Sequence, residues 1–139
     1  MLNLDIYNSA FRFISQGIYD SSTEDFLERA PYLIASFCCS AKSIDRSLRK
    51  DEGLEEQKSF SPVFLPLSEE FPLCSTLAAP AALYVAAMLM IEEDPELSDS
   101  LYDKYCDSIA PLSAIHQAIC DSSKNRASCE SIVEKYFFD

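Results

Sequence analysis

At 139 residues the chain has the length of one ordinary domain, and 48% apolar residues with 12% aromatics suffice to bury a core. Only two glycines are present, which excludes Gly-rich phosphate loops, anion nests and many tight hairpins, because these need positive φ. Eleven basic against 23 acidic residues leave a net charge of −12, whose field repels phosphate and opposes nonspecific binding to nucleic acid or an anionic membrane.

The chain opens MLNLDIYNSAFRFISQ, with Asp5 early and no basic leader ahead of a continuous apolar run, so no secretory signal and an intracellular protein are expected. From Leu4 to Ile18, the apolar positions Ile6, Tyr7, Ala10, Phe11, Phe13 and Ile14 have helical spacing, and Gly17 is a stop. Ser22 followed by Asp25 then signals a second helix, with Phe26, Ala30, Leu33, Phe37, Ala41, Ile44 and Leu48 at steps of three and four. Pro31 falls inside this pattern and predicts either a kink or a first turn that ends before it. Lys42, Arg46, Arg49 and Lys50 crowd its last turns, where the helix dipole favours cations.

Asp51 to Leu73 carries three prolines, acidic residues at both ends and no sustained period. With six carboxylates in all, one Asp and five Glu, it reads as a long loop whose apolar piece, Val63 to Leu67, lies extended over the core. No charge occurs from Phe71 to Ile91. After Pro80, Ala81 to Ile91 rises only about 17 Å as a helix, against roughly 30 Å of bilayer interior, and alanine gains little from lipid. The stretch therefore reads as a buried central helix, with no membrane association.

Asp94 and Pro95 form an N-cap and first-position pair, and Leu97, Leu101, Tyr105 and Ile109 continue at steps of four, completing a helical hairpin. Beyond Pro111, Leu112, Ile115 and Ile119 suggest one more helical stretch to about Asp121. SSKNRAS reads as a loop, and SCESIVEKYFFD as a short helix or an extended tail. The expected fold is an all-α single domain over 1–139, a helical bundle around an Ala-rich buried helix.

Three constellations in the chain bear on chemistry. His116, the only histidine, stands four residues before Cys120, so the two share a helix face as nucleophile and base or as two metal ligands. No third group is marked in the sequence, so no catalytic residue, metal or cofactor is assigned and the pair reads as incidental. Glu96, Asp99, Asp103 and Asp107 form an acidic helix on which like charges repel by about a few tenths of a kcal/mol per pair. They read as a solvated face or, with Lys42, Arg46, Arg49 and Lys50 as the complementary surface, as a contact between subunits.

The order LPLSEEFPL, AALYVAAMLM and EEDPELSDSLYDKYCDSI resembles the small helical head-to-tail connector or adaptor proteins encoded beside portal genes in tailed phages and prophages of Gram-positive bacteria. Leu65 to Leu73, Ala81 to Met90 and Leu101 to Tyr105 carry the resemblance, which covers the central third of the chain. It implies an all-helical, non-enzymatic subunit that assembles into a ring with copies of itself and other virion proteins. Such a subunit resides in the bacterial cytoplasm or the virion, with no specific nucleic-acid binding and no small-molecule substrate. The alternative is a small helical protein-binding or regulatory module that uses the loop Asp51 to Leu73.

The six cysteines include an adjacent pair, Cys38 and Cys39, but no CxxC, and a chain with this much apolar content needs no covalent staples. Reduced, mostly buried thiols are expected. Freshly purified protein, denatured without reductant and titrated with a thiol reagent, is expected to yield all six; a lower number overturns that expectation.

Overall fold

The computed structural model of the chain describes residues 1–14, 23–55 and 61–137, with side chains through residue 122. Its helices are α1 (Asn3–Ile14), α2 (Thr23–Asp51), α3 (Ala78–Met90) and α4 (Pro95–Phe137), with a 3-10 turn at Ser75–Leu77 leading into α3. The architecture is all-α, and the described residues form no strand. A single antiparallel bridge joins Leu2 to Glu70.

The Ala-rich segment is the centre of the bundle, packed by α1, α2 and α4. Pro80, Ala81, Ala82, Val85, Ala86, Ala87, Leu89 and Met90 are all buried. A helix surrounded in this way shows no polar stripe, and its small side chains let the neighbouring backbones approach closely. Pro80 lies in its first turn, where an absent N–H costs no intrahelical bond. No described helix is long and apolar enough to cross a membrane.

The surrounding helices turn their periodic faces inward. α1 buries Ile6, Tyr7, Ala10 and Ile14, whereas Phe13 is exposed. α2 buries Phe26, Ala30, Phe37, Ala41, Ile44 and Leu48, with Leu33 partly buried against the same core. On α4, Leu101 is buried, and Leu97, Tyr105, Ile109 and Leu112 pack on the core. The expected cap forms: Leu97 N–H donates to Asp94 Oδ1 at 3.2 Å, and Ser98 Oγ donates across the hairpin to the Ala87 carbonyl at 2.7 Å.

Both internal prolines are tolerated. α2 runs on through Pro31, so no first turn ends before it, and α4 runs on through Pro111 instead of restarting there. The carbonyls that lose an N–H partner belong to Leu27 and Asp107, exposed residues where water can replace it. The expected loop at SSKNRAS is likewise absent, since α4 continues to Phe137 and the final segment is helical that far. Nothing from Ser122 to Ser128 is a Gly or Pro, and polar composition alone does not stop a helix. The proposed stop at Gly17 and start at Ser22 lie outside the described residues. α2 ends on a Schellman motif, with Gly53 at φ +72°, Leu54 N–H to the Arg49 carbonyl at 2.7 Å and Gly53 N–H to the Lys50 carbonyl at 3.3 Å.

The segment after residue 60 is strapped down by hydrogen bonds. Asn3 and Leu4 N–H, the open donors at the start of α1, donate to the Glu69 and Leu67 carbonyls, both at 2.9 Å. Phe71 N–H donates to the Met1 carbonyl, Leu65 N–H to the Pro31 carbonyl and Asn3 Nδ2 to the Pro66 carbonyl. Of the piece expected to cover the core, Leu65 is buried and Leu67 half-buried, while Val63 and Phe64 face solvent.

Ala86 and Ala87 are fully buried, so Ala86→Leu or Ala87→Leu is expected to overpack α3 and lower stability by about 1–3 kcal/mol. Chemical denaturation with unchanged midpoints for both variants would contradict the central position of this helix.

Candidate functional site

The polar features of the bundle gather around the second half of α2. Asp45 sits on its inner face, nearly devoid of solvent, and is fully partnered. Its Oδ2 accepts from Arg49 Nε at 2.9 Å, and its Oδ1 accepts from the Cys74 backbone N–H at 2.7 Å. Arg49 also donates through Nη2 to the Pro72 carbonyl at 3.1 Å. A buried carboxylate is tolerable only when paired and hydrogen-bonded, and here those bonds fasten the segment entering α3 onto α2.

Two buried thiols adjoin this clip. Burial pushes Cys38 up to about 12, with contributions from Cys39 and Asp45. Burial likewise pushes Cys74 up to about 11, helped by its hydrogen bond to Asp45. Cys39 and Cys120 are half-buried and Cys106 is exposed, so fewer thiols are buried than expected; all five are free.

Of the basic residues singled out by sequence, Arg46 and Lys50 are exposed and Lys42 is half-buried, whereas Arg49 is occupied by Asp45 and Pro72. Glu96, Asp99, Asp103 and Asp107 are all exposed along α4. Among the described residues no carboxylate lies within ion-pair distance of Lys42, Arg46 or Lys50. The basic end and the acidic face thus remain two separate, unneutralised surfaces.

The His116–Cys120 pair has a third member that sequence spacing could not reveal. Ser47 of α2, itself buried, brings its Oγ to 2.6 Å from His116 Nδ1. Cys120 Sγ lies 3.7 Å from Nε2 and 3.8 Å from Nδ1, alongside the ring. Ser47 and His116 are 69 positions apart, so only the packing of α4 on α2 joins them. Asp45 was also missed by the sequence reading; a lone acidic residue within an apolar helix face was its only signal.

A further polar cluster is aromatic. Tyr84 stacks obliquely on Phe37 and Tyr105 with centroids 5.8 and 5.5 Å apart, and its hydroxyl lies 3.1 Å from Ser36 Oγ. Burial raises the Tyr105 hydroxyl, with Tyr102 and Tyr84 adding to it.

Comparison of the chain with protein-family models, curated proteins and solved structures finds no match.

Because burial favours neutral Cys38 and Cys74, folding is supported below the unfolded thiol pKa of about 8.5 and loses that support as pH rises toward 11 and 12. The melting temperature is therefore expected to fall through this alkaline window. In native protein at pH 8, mass-spectrometric mapping should find Cys106 alkylated well before Cys38 and Cys74. Equal rates at the three positions would contradict the burial of the latter two.

Proposed function

We propose that the chain is a non-enzymatic structural subunit that assembles with copies of itself, in the setting of a phage or prophage head-to-tail connector. The observation that carries self-assembly is the separation of opposite charges. Arg46 and Lys50 are exposed at the end of α2, and Glu96, Asp99, Asp103 and Asp107 are exposed along α4. A ring is built from heterologous contacts, in which one face of a subunit meets a different face of the next, and these two surfaces are complementary. Charges of this kind set register and encounter rate, while apolar contacts supply most of the affinity. Carboxylates left outside the contact would repel DNA passing through a lumen and keep it from sticking. The connector setting itself is supported by the sequence resemblance in residues 65–73, 81–90 and 101–105.

A second reading, a protein-binding or regulatory module, is favoured by one exposed patch. Val63 is 78% exposed, and Phe64 and Tyr32 form an edge-to-face pair 5.1 Å apart while remaining 47% and 53% exposed. Large aromatic side chains in solvent are the usual anchors of a protein contact.

Charge reversal separates the two readings. Arg49 is unsuitable because removing it leaves Asp45 buried and unpaired. Arg46→Glu with Lys50→Glu is expected to weaken self-association in sedimentation velocity, as should raised salt. Adding Asp99→Lys and Asp103→Lys to the same chain is expected to restore part of it. Association of the unaltered chain that ignores both salt and the reversals would sink the charge-docked subunit.

A further inference from the structure

We propose that His116 and Cys120 form half of a transition-metal site, completed by the same pair from a second copy of the chain. The ligand chemistry is a borderline-soft divalent ion, zinc above all, which takes imidazole nitrogen and thiolate sulfur in a tetrahedron.

Three observations carry this. The first is the spacing: a tetrahedron with a Zn–N bond of about 2.0 Å and a Zn–S bond of about 2.3 Å has an N···S edge of roughly 3.5 Å. His116 Nε2 and Cys120 Sγ are 3.7 Å apart without any ion to draw them together. The thiol also lies 3.8 Å from Nδ1, beside the ring, so loading requires side-chain rotation. The helical backbone already holds both residues on one face and need not move.

The second is the support behind the imidazole. Ser47 is only 7% exposed, and its Oγ lies 2.6 Å from Nδ1, the nitrogen that a metal on Nε2 leaves free. In the loaded site Nδ1 keeps its proton and donates it to Ser47 Oγ, which fixes the tautomer and ring orientation as outer partners of metal-bound histidines do. The deprotonated Nε2 and the Cys120 thiolate take the ion, and each thiol releases its proton to solvent.

The third concerns where the remaining ligands come from. Among the described residues there is no group of three or more candidate ligands, and His116 and Cys120 are the two that stand together here. His116 and Cys120 are half-exposed, and Pro111, Ser113, Ala114, Ile115, Gln117 and Ala118 around them face solvent. From Ser108 to Cys120 there is no Asp, Glu, Lys or Arg, although the chain carries a net charge of −12. This is a stretch of α4 along which two copies can approach without bringing like charges together. A two-fold axis passing beside His116 and Cys120 brings the two pairs to one point and yields a two-histidine, two-cysteine set. The contact is independent of the charge-docked assembly: chelator sensitivity marks one and salt sensitivity the other.

The test is titration of reduced, chelator-stripped full-length chain with cobalt(II) under anaerobic conditions. Expected are a thiolate-to-cobalt charge-transfer band, strong tetrahedral visible bands, saturation at one cobalt per two chains, and a doubling of mass that EDTA reverses. Cys120→Ser and His116→Gln should abolish the band and the dimer, while Cys106→Ser, an exposed cysteine elsewhere on α4, should retain both. Ser47→Ala should keep the spectrum but weaken affinity by about 10-fold or more. Circular dichroism matching the unaltered chain establishes that each variant is folded. The proposal is overturned by the absence of a thiolate band, by a band that survives Cys120→Ser, or by saturation at one cobalt per monomeric chain. An unchanged affinity in Ser47→Ala would overturn the supporting role of the serine.

Discussion

Burial of most of α3 among α1, α2 and α4 is the constraint to which the remaining elements answer. A helix of this kind has only a narrow, half-covered face at Leu83, Tyr84 and Met88, so its length is limited by the thickness of the bundle and its sequence is almost wholly apolar. Its alanines decide how closely α1, α2 and α4 approach, and a close approach raises the packing density that holds four helices together. Both of its ends must then be reached by backbone that comes from outside the core. The 3-10 turn at Ser75–Leu77 serves one end, and the turn leading to the Asp94 cap serves the other.

The approach to α3 explains the one buried ion pair in the described structure. Residues 72–74 lead into the core beside α2, and Leu73 and Cys74 are buried there. Asp45 and Arg49 supply the missing partners, one accepting from Cys74 N–H and the other donating to the Pro72 carbonyl. A buried pair contributes little net stability against an apolar alternative, but its fixed geometry positions a chain segment that apolar contact alone would leave free to slide. The same logic governs the start of α1, where carbonyls at 67 and 69 replace a side-chain cap and tie the beginning of the chain to the segment ahead of α3.

Beyond the core, the chemistry of the molecule lies on its helix surfaces. α4 is about 64 Å long at 1.5 Å per residue, against about 20 Å for α3, so most of it extends past the helix it pairs with in the hairpin. Its first turns carry the exposed carboxylates, and its middle is uncharged and carries the His116–Cys120 pair backed by Ser47. Charge, neutrality and metal-ligand chemistry thus follow one another along a single element. A helix that outruns its bundle in this way offers faces that the fold itself does not use.

Local chemistry was enough to read the helices. The three-and-four spacing from Phe26 to Leu48 and from Leu97 to Ile109, the Asp-Pro cap and the uncharged Ala-rich run are short-range signals, and the structure bears out the all-α bundle they predict. The Gly53 stop was legible on the same terms and was overlooked. The break expected at Pro111, and the earlier helix end offered as one option at Pro31, did not form, because a proline penalty is local, while the packing that offsets it is spread over the whole helix face. The polar stretch after Asp121 was misread because polarity marks solvent exposure and not the end of a helix. What only tertiary structure decided is which distant residues meet. Arg49, grouped by sequence with a solvated cationic end, is committed to Asp45 and Pro72, and Ser47 reaches His116 across 69 positions. Helical periodicity assigns each residue to a face, but the neighbour that face meets depends on how the helices pack, and no local pattern in the chain encodes that.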